Sequence, residues 1–363
     1  MSSAALRNGM DVLLLALRGD FNRLNGGGIQ RYISELYANM LRLRGGRMRI
    51  RRREYVPAFS LVGNAIFFAF ESMVDSFNDA RIIHNLMELP FAKPKWLRRD
   101  TVLLSTAHEF APLTHPELDP DILEEVMTGF LTPSVIRIAA QSLLASDFLI
   151  ANSTQTMEEA VSLGYSRKRV RVVNLGIDRR FSAEIREKRR SRGKFVAGYI
   201  GTIRKRKGID MIAQASRRVD SREFEFRIYG NAGIFKHDEF VSFMRHDRSI
   251  TFNGFAPEGR LVDTYDSFDA FVFPSLYEGF GLPILEAKAR GLPVILNKGG
   301  HIPEEVKRHC FEVGNADEMA DVLQRLKANG YNERRRRRAM HEARSFTWRK
   351  TALDTLEVYN RVS

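Results

Sequence analysis

Short apolar runs alternate with longer amphipathic segments along both halves of the chain. A run of roughly four to eight apolar residues is typical of a buried strand, whereas apolar residues at every third or fourth position indicate a helix. Runs of strand length lie at residues 12–17, 48–52, 81–84, 101–105, 148–151, 170–174, 195–200, 225–229, 250–253, 270–273, 293–296 and 311–313. Each half therefore predicts an α/β unit with a parallel sheet and crossover helices.

A polar, charge-dense stretch at residues 178–193 interrupts this pattern near the middle of the chain. We interpret it as a linker between two Rossmann-like domains, with a cleft between them. In open α/β sheets, ligands bind outside the carboxyl ends of the strands, and the segments of chemical interest here all follow predicted strands.

The most informative segment is 273–287, with the sequence F-P-S-L-Y-E-G-F-G-L-P-I-L-E-A. It leaves a predicted strand, turns through two glycines and enters a helix with Pro283 in the first turn, where a missing N–H is tolerated. Glu278 lies in the turn and Glu286 about one turn inside the helix. Free amides at a helix start favour an anion such as phosphate, and carboxylates accept hydrogen bonds from sugar hydroxyls. The segment predicts a site for a nucleotide sugar.

A basic cluster follows the strand at 195–200. Arg204, Lys205, Arg206 and Lys207 stand in a row before a predicted helix, an unfavourable arrangement unless an anion neutralises it. Fixed cations there would stabilise a leaving diphosphate as its charge grows. The alternative is a solvated basic loop, and Arg204 and Lys205 fit that description as well.

Two weaker signals lie in the first half. The glycines at 26–28 precede a predicted helix at 29–43 and would let the backbone approach a ligand, although a tight turn without a ligand explains them too. His108 follows the strand at 101–105, where its side chain would face the cleft, but a lone histidine is more often structural.

Bulk composition narrows the class of protein. The 363 residues suffice for two domains, and the single cysteine, Cys310, excludes an internal disulfide. The net charge of +13 favours phosphate-bearing partners, namely nucleotides, nucleic acid or anionic lipid headgroups, or else reflects a solubilising surface. No apolar stretch reaches the ~20 residues of a membrane span. We expect a cytoplasmic protein, either free or held at the cytoplasmic face of a membrane.

A basic run at residues 42–53 precedes an apolar segment at 56–70. These residues could form an interfacial membrane anchor, or a core strand with one cationic face followed by a buried helix. The D-P-D sequence at 119–121 is similar to a metal motif, but it opens a predicted helix, where Asp is an ordinary N-cap. The arginine runs also raise the alternative of a nucleic-acid-binding protein, which the paired acidic residues disfavour because they would repel phosphates.

The ordered set of motifs resembles family 4 glycosyltransferases, which are retaining enzymes of the GT-B fold. Residues 278–293 match the family pattern E-G-F-G-L-P-x-x-E-A-x-A-x-G-x-P closely. The other segments that carry the resemblance are 27–32, 106–109, 152–154, 172–178, 201–208 and 346–348. The resemblance implies an N-terminal acceptor domain over residues 1–180, a nucleotide-sugar domain over 181–345, and a final helix at 346–363 that returns to the first domain.

The resemblance also implies roles for individual residues. Arg206 and Lys207 would bind the donor diphosphate, Glu278 and His108 would face the donor sugar, and Glu286 would hold the ribose hydroxyls. Thr202 departs from the family, since many relatives carry arginine there, so Arg206 is the candidate for the second phosphate cation and Arg204 the fallback. The donor-binding residues implied are Gly27, Gly28, Gly201, Arg206, Lys207, Gly254, Phe255, Glu278, Gly279, Phe280, Gly281, Leu282 and Glu286.

The function implied is transfer of a hexose, such as mannose or glucose, from a UDP- or GDP-sugar to a lipid-linked or polysaccharide acceptor. A sucrose- or trehalose-type synthase would share the same donor motifs and stays an alternative. The cations at 206 and 207 would take the place of a metal, so neither a metal nor another cofactor is expected. No carboxylate in the motifs can serve as a nucleophile on the far face of the sugar, which favours front-side attack.

Overall fold

The protein divides into two compact units, Met1–Gly176 with Trp348–Ser363, and Ile177–Thr347. The structure, a computed structural model, describes residues 10–17, 27–44, 48–55, 80–87, 97–118, 141–184, 193–230, 247 and 249–363. The glycine at position 26, the apolar segment 56–70 and the D-P-D sequence at 119–121 lie outside these ranges. The domain limits 1–180 and 181–345, with the returning helix at 346–363, stay a prediction.

The first unit contains a parallel sheet, six-stranded within the described residues. Its spatial order is β2-β1-β3-β4-β5-β6. Val12 of β1 lies level with Ile50 of β2 on one side and with Ile82 of β3 on the other. The strands are β1 Met10–Leu17, β2 Met48–Tyr55, β3 Ile82–Asn85, β4 Val102–Ala107, β5 Phe148–Ala151 and β6 Val170–Val172.

Helices cover this sheet because each buries one apolar face. Helix α1 (Gly28–Leu43) turns Tyr32, Leu36 and Met40 inward. Helix α2 (Ala111–Thr114) is short, and α3 (Thr154–Ser162) starts where Ser153 Oγ accepts a hydrogen bond from Thr156 N at 3.1 Å. The C-terminal helix belongs to this unit although it follows the second one in the chain, and it packs on α1; it is numbered α10 (Trp348–Val362).

The basic run begins at the end of α1 and continues in the edge strand β2. Buried Met48 and Ile50 alternate there with exposed Arg49, and Arg51 Nε donates to Asp11 Oδ1 at 3.0 Å. The part of the run in β2 is therefore a strand with one cationic face. No helix in the described ranges combines the length and apolar character that crossing a membrane requires.

The second unit contains another parallel sheet, again six-stranded over the described residues, in the order β12-β11-β10-β7-β8-β9. From β7 the chain adds two strands on one side and then returns to add three on the other. The point where the direction reverses lies between β7 and β10. The strands are β7 Phe195–Ile200, β8 Phe224–Tyr229, β9 Ile250–Phe252, β10 Ala270–Phe273, β11 Val294–Asn297 and β12 Phe311–Val313.

The helices of the second unit follow its strands. Helix α6 buries nearly its whole surface, as its apolar sequence requires. Asn315 and Asn332 cap α8 and α9 by accepting from backbone N–H groups at 2.9 and 3.0 Å. The bounds are α4 Ile209–Ser216, α5 Leu261–Asp266, α6 Leu282–Ala289, α7 Glu304–Lys307, α8 Ala316–Asn329 and α9 Glu333–Ser345.

The α/β class with parallel sheets is thus confirmed. Each of the predicted strands is found, with ends that differ by at most three residues from the prediction. The largest difference is in β2, which ends at Tyr55 and not at Arg52, because its pairing with β1 continues to that residue.

Candidate functional site

The site of the second unit is built where β7 and β10 lie side by side. Phe271 of β10 is level with Gly198 of β7, and the two strands are parallel. The loop after β7 and the turn after β10 therefore open at the same edge of the sheet. This is the switch point at which open α/β sheets bind ligands, and it carries both of the strongest sequence motifs.

Backbone contacts join the basic loop to the acidic turn. Leu276 N donates to Arg206 O at 2.8 Å, and Ser275 Oγ donates to the same oxygen at 3.4 Å. Gly208 ends the 3₁₀ turn Lys205–Lys207 with φ +65°, and a Cβ there would lie 2.0 Å from Pro274 O. Glycine is required at 208 both for its conformation and for this close approach.

Lys207 and Glu278 form the central contact of the site. Lys207 Nζ lies 2.6 Å from Glu278 Oε1, and the two side chains are only 12% and 11% exposed. The backbone of Glu278 is held in turn, since its N–H donates to His301 O at 2.9 Å. The guanidinium of Arg206 lies 5.9 Å from the centre of the Tyr277 ring. A cation and a carboxylate, each mostly buried, are thus held together at this site.

Glu286 lies on α6, the helix that follows the acidic turn. Gly281 caps this helix at φ +101°, a left-handed conformation that favours glycine. Glu286 is 3% exposed, and its Oε2 accepts a hydrogen bond from the Tyr265 hydroxyl at 2.8 Å. The carboxylate is therefore fixed by a side chain from α5.

The side chains of Phe280 and Leu282 are buried in this turn, 3% and 6% exposed. The ring of Phe280 meets that of Phe346 at 6.0 Å. These two side chains pack the core, so a donor contact at 279–282 would involve the backbone, including that of Gly279.

Glycines mark the ends of the three neighbouring strands β7, β8 and β9. A Cβ on Gly230 would lie 1.9 Å from Gly201 O, and Gly230 N donates to Gly254 O at 2.7 Å. Gly254 has φ +66°, and Phe255 beside it is 61% exposed. At the carboxyl ends of these three strands the chain therefore presents glycine backbone, next to the exposed ring of Phe255.

His108 belongs to the other unit, where it follows β4. Its Nε2 lies 2.9 Å from Leu86 O, so Nε2 carries the proton and donates, and Nδ1 is the acceptor atom of the ring. Burial lowers the pKa of His108 from its ordinary value, against the opposing effects of the Leu86 carbonyl and Glu109. The imidazole is neutral near neutral pH.

A chain of buried hydrogen bonds lies beside His108. Tyr359 Oη is 2.7 Å from His84 Nδ1, His84 Nε2 is 2.8 Å from Thr106 Oγ1, and that oxygen is 2.9 Å from Tyr32 Oη. The Tyr32 ring meets that of His108 edge-on at 5.0 Å. Burial lowers the pKa of His84 to about 3, so this histidine is neutral as well. The network joins α1, β3, β4 and α10 around the segment that carries His108.

Gly27 and Gly28 form the start of α1. Gly27 has an ordinary φ of −71°, and a Cβ there would meet no atom closer than 3.7 Å. Neither conformation nor packing within the described residues requires glycine at 27. The contact with a ligand expected for Gly27 and Gly28 stays a prediction.

The structure thus brings Lys207 and Glu278 into direct contact and places Glu286 on the following helix. Arg206 joins the acidic turn through its carbonyl, which accepts from Leu276 N. His108, Gly27 and Gly28 lie in the other unit. Over the part of the chain that the structure describes, no three His, Cys, Asp or Glu residues are grouped as metal ligands. That the reaction needs no metal stays a prediction.

Sequence reasoning missed Gly230, Tyr265 and His301. Gly230 follows a predicted strand directly, so the rule that ligands bind at strand ends could have identified it. His301 also follows a predicted strand, at 293–296, after two glycines, so the same rule applies to it. Tyr265 carries no such signal, because its contact with Glu286 joins segments distant in sequence.

Residues 194–329 match the family model of "Glycosyl transferases group 1". The chain is 30% identical over 177 residues to an O-antigen chain mannosyltransferase B of Escherichia coli, an alignment that covers 44% of each chain. It is 30% identical over 294 residues to a D-inositol 3-phosphate glycosyltransferase of Actinosynnema mirum, which covers 73% of this chain and 69% of the relative. The chain thus spans less than half the length of the first of these relatives.

The fold is similar to that of Anabaena Alr3699/HepE, solved in complex with UDP and glucose. The TM-score is 0.66 at 15% identity, over 96% of this chain and 99% of the other. At this identity the likeness establishes the fold, which is that of GT-B glycosyltransferases. Family model, relatives and fold agree, and the chain belongs to the group 1 glycosyltransferases, the GT4-type family.

Proposed function

We propose that the chain is a retaining glycosyltransferase that moves a hexose, such as mannose or glucose, from a nucleotide-diphosphate sugar to a glycan acceptor. The observation that carries this proposal is the buried Lys207–Glu278 contact of 2.6 Å at the switch point of the second sheet. It supplies a cation for phosphate and a carboxylate for sugar hydroxyls at one place. A relative named mannosyltransferase and a similar structure solved with UDP and glucose support this proposal.

The donor would bind along the edge of the second sheet. Lys207 and Arg206 bind the diphosphate, Glu278 the sugar, and Glu286 the ribose. The glycine edge at 201, 230 and 254 leaves room for the nucleotide, with Phe255 available to the base. Because Lys207 is already held, it stabilises the growing charge of the leaving diphosphate without reorganisation.

Retention follows from front-side attack. The glycosidic C–O bond breaks with its electron pair going to the diphosphate, while the acceptor oxygen bonds to the same face of the sugar. The acceptor proton passes to an oxygen of the leaving phosphate. The protein then contributes orientation and electrostatics, with Arg206 and Lys207 in place of a metal ion.

The acceptor that we favour is a lipid-linked or polysaccharide glycan. A relative in O-antigen synthesis and the net charge of +13 support it, since the charge suits an anionic membrane surface on the cytoplasmic side. The second candidate is a small-molecule or sugar-phosphate acceptor, which the relative named D-inositol 3-phosphate glycosyltransferase favours.

Donor binding is tested by a thermal-shift screen against UDP, GDP, ADP and their sugars. A ligand at 100 times its Kd stabilises the folded state by about 2.7 kcal/mol. We expect UDP or GDP to raise Tm of the wild type but not of Lys207→Met. The absence of a shift with every nucleotide at millimolar concentration would refute the donor site.

The acceptor is tested with the radiolabelled sugar of the donor that binds. We expect label in the organic phase of a membrane extract for a lipid-linked acceptor, or in high-molecular-weight glycan for a polysaccharide acceptor. Label only in soluble sugar phosphates would favour the second candidate.

A further inference from the structure

Tyr265 lies at the end of α5 with its ring fully buried. The ring is enclosed by those of Phe181, Phe268 and Phe271, with centres 5.7, 6.2 and 5.4 Å away. Its hydroxyl donates to Glu286 Oε2 at 2.8 Å. Three aromatic neighbours therefore hold the tyrosine so that its hydroxyl meets one oxygen of the carboxylate.

The next residue of α5 makes a second contact with the same helix. Asp266 accepts two hydrogen bonds from Arg290 at 2.8 and 2.7 Å, and Arg290 also donates to the carbonyls of Phe181 and Ala183 at 3.2 and 2.7 Å. Arg290 is the C-cap residue of α6, one turn after Glu286. Two consecutive residues of α5 thus hold α6 at two points, one of which is the carboxylate assigned to the ribose.

We propose that Tyr265 is a positioning residue that fixes Oε2 of Glu286 and so directs Oε1 to the ribose hydroxyls of the nucleotide. The proposal rests on the proposed function, which assigns Glu286 to the ribose. A carboxylate without such a contact can rotate about the Cγ–Cδ bond. A hydrogen bond to one oxygen restricts this rotation and so sets the direction of the second oxygen. Because the pair is buried, this charge-assisted bond is strong. Tyr265 therefore determines how well the site distinguishes ribonucleotides from deoxynucleotides.

The experiment compares ribose preference by calorimetry. Kd is measured for UDP and GDP, and the tighter of the two is then compared with its 2′,3′-dideoxy counterpart. We expect the wild type to prefer the ribonucleotide by about 10- to 150-fold, the range of hydrogen bonds to a charged group. Glu286→Ala should bring the preference close to one. Tyr265→Phe keeps the ring and should lower the preference about 3- to 10-fold, the effect of one hydrogen bond.

Tyr165→Phe is the matched control. It removes another buried tyrosine hydroxyl, one that donates to Ser146 O at 3.0 Å in the other unit. Its ribose preference should equal that of the wild type. Circular dichroism and thermal melts establish that each variant is folded.

The Arg290→Lys variant distinguishes the effect of losing the Tyr265 hydroxyl from the effect of a less firmly held helix α6. It disrupts the two-point contact with Asp266 and leaves Tyr265 intact, so the preference should persist. An equal fall in Arg290→Lys and Tyr265→Phe would overturn the proposal.

The two assumptions fail in different ways. If Glu286→Ala removes the preference and Tyr265→Phe keeps it at the wild-type value, the positioning role is wrong and the donor site stands. If Glu286→Ala itself keeps the preference, the assignment of Glu286 to the ribose is wrong, and the role of Tyr265 falls with it.

Discussion

The Lys207–Glu278 pair allows stability and activity to be separated in one set of variants. The two charges lie 2.6 Å apart with about nine-tenths of each side chain buried. Removing one partner leaves the other as a buried, uncompensated charge, which typically costs about 3–5 kcal/mol. We expect Lys207→Met and Glu278→Gln each to lower the unfolding free energy by about this much, or Tm by roughly 6–20 °C at ~2–4 °C per kcal/mol.

The double variant should behave differently in the two measurements. With neither charge present, no buried ion remains, so stability should recover by about 2–3 kcal/mol relative to the sum of the single losses. Activity should not recover, because the donor needs the cation for its diphosphate and the carboxylate for its sugar. We expect kcat/KM to fall about 100- to 1000-fold in both single variants, the scale of losing one key electrostatic contact. The double variant should stay at least as low.

Lys350 and Asp354 provide the control. Their ion pair has the same 2.6 Å distance, but the side chains are 65% and 34% exposed. Lys350→Met should change stability by only about 0.3–0.5 kcal/mol. The assays are chemical denaturation and initial rates with the donor that binds. A double variant with wild-type turnover, or a single variant with undiminished turnover, would refute the roles assigned to Lys207 and Glu278.

Two further predictions concern conformation and pH. Gly208→Ala should lower the free energy of unfolding by more than the about 1–2 kcal/mol of a left-handed alanine, because its Cβ would meet Pro274 O at 2.0 Å. It should also abolish the rise of Tm with nucleotide. The control, Gly164→Ala, has φ +93° and no atom within 4 Å, so it should lose only the conformational part. Equal losses of stability by denaturation would count against the close approach. Burial lowers the pKa of His84 in the folded protein to about 3. Between about pH 6.5 and pH 3 the histidine is therefore protonated in the unfolded state but not in the folded one. The free energy of unfolding should fall over this range by up to about 1.4 kcal/mol for each pH unit lost. Denaturation of His84→Gln from pH 7 to 4 should show a shallower slope than the wild type, and parallel slopes would contradict the neutral state of His84.

Local pattern by itself determined the elements of this protein and the places where its chemistry lies. Apolar runs defined most of the central strands because a strand buried on both faces of a parallel sheet must be apolar along its length, whereas the edge strand β2 alternates apolar and charged residues. Glycine-rich and charged segments directly after those runs marked the strand ends at 201–208 and 278–286. Ligands of open sheets bind at strand ends, so the sequence could indicate a site without knowledge of the sheet order.

Only the tertiary structure decided which strand ends are neighbours. Strands β7 and β10 are separated by the whole of β8 and β9, and their adjacency follows from long-range packing that no local pattern encodes. That adjacency brings Lys207 to Glu278, leaves space for nothing larger than glycine at 208, and sets Tyr265 against Glu286. Side-chain contacts between distant segments depend on distances of an ångström or less, whereas hydrophobic periodicity reports only which face of an element is buried.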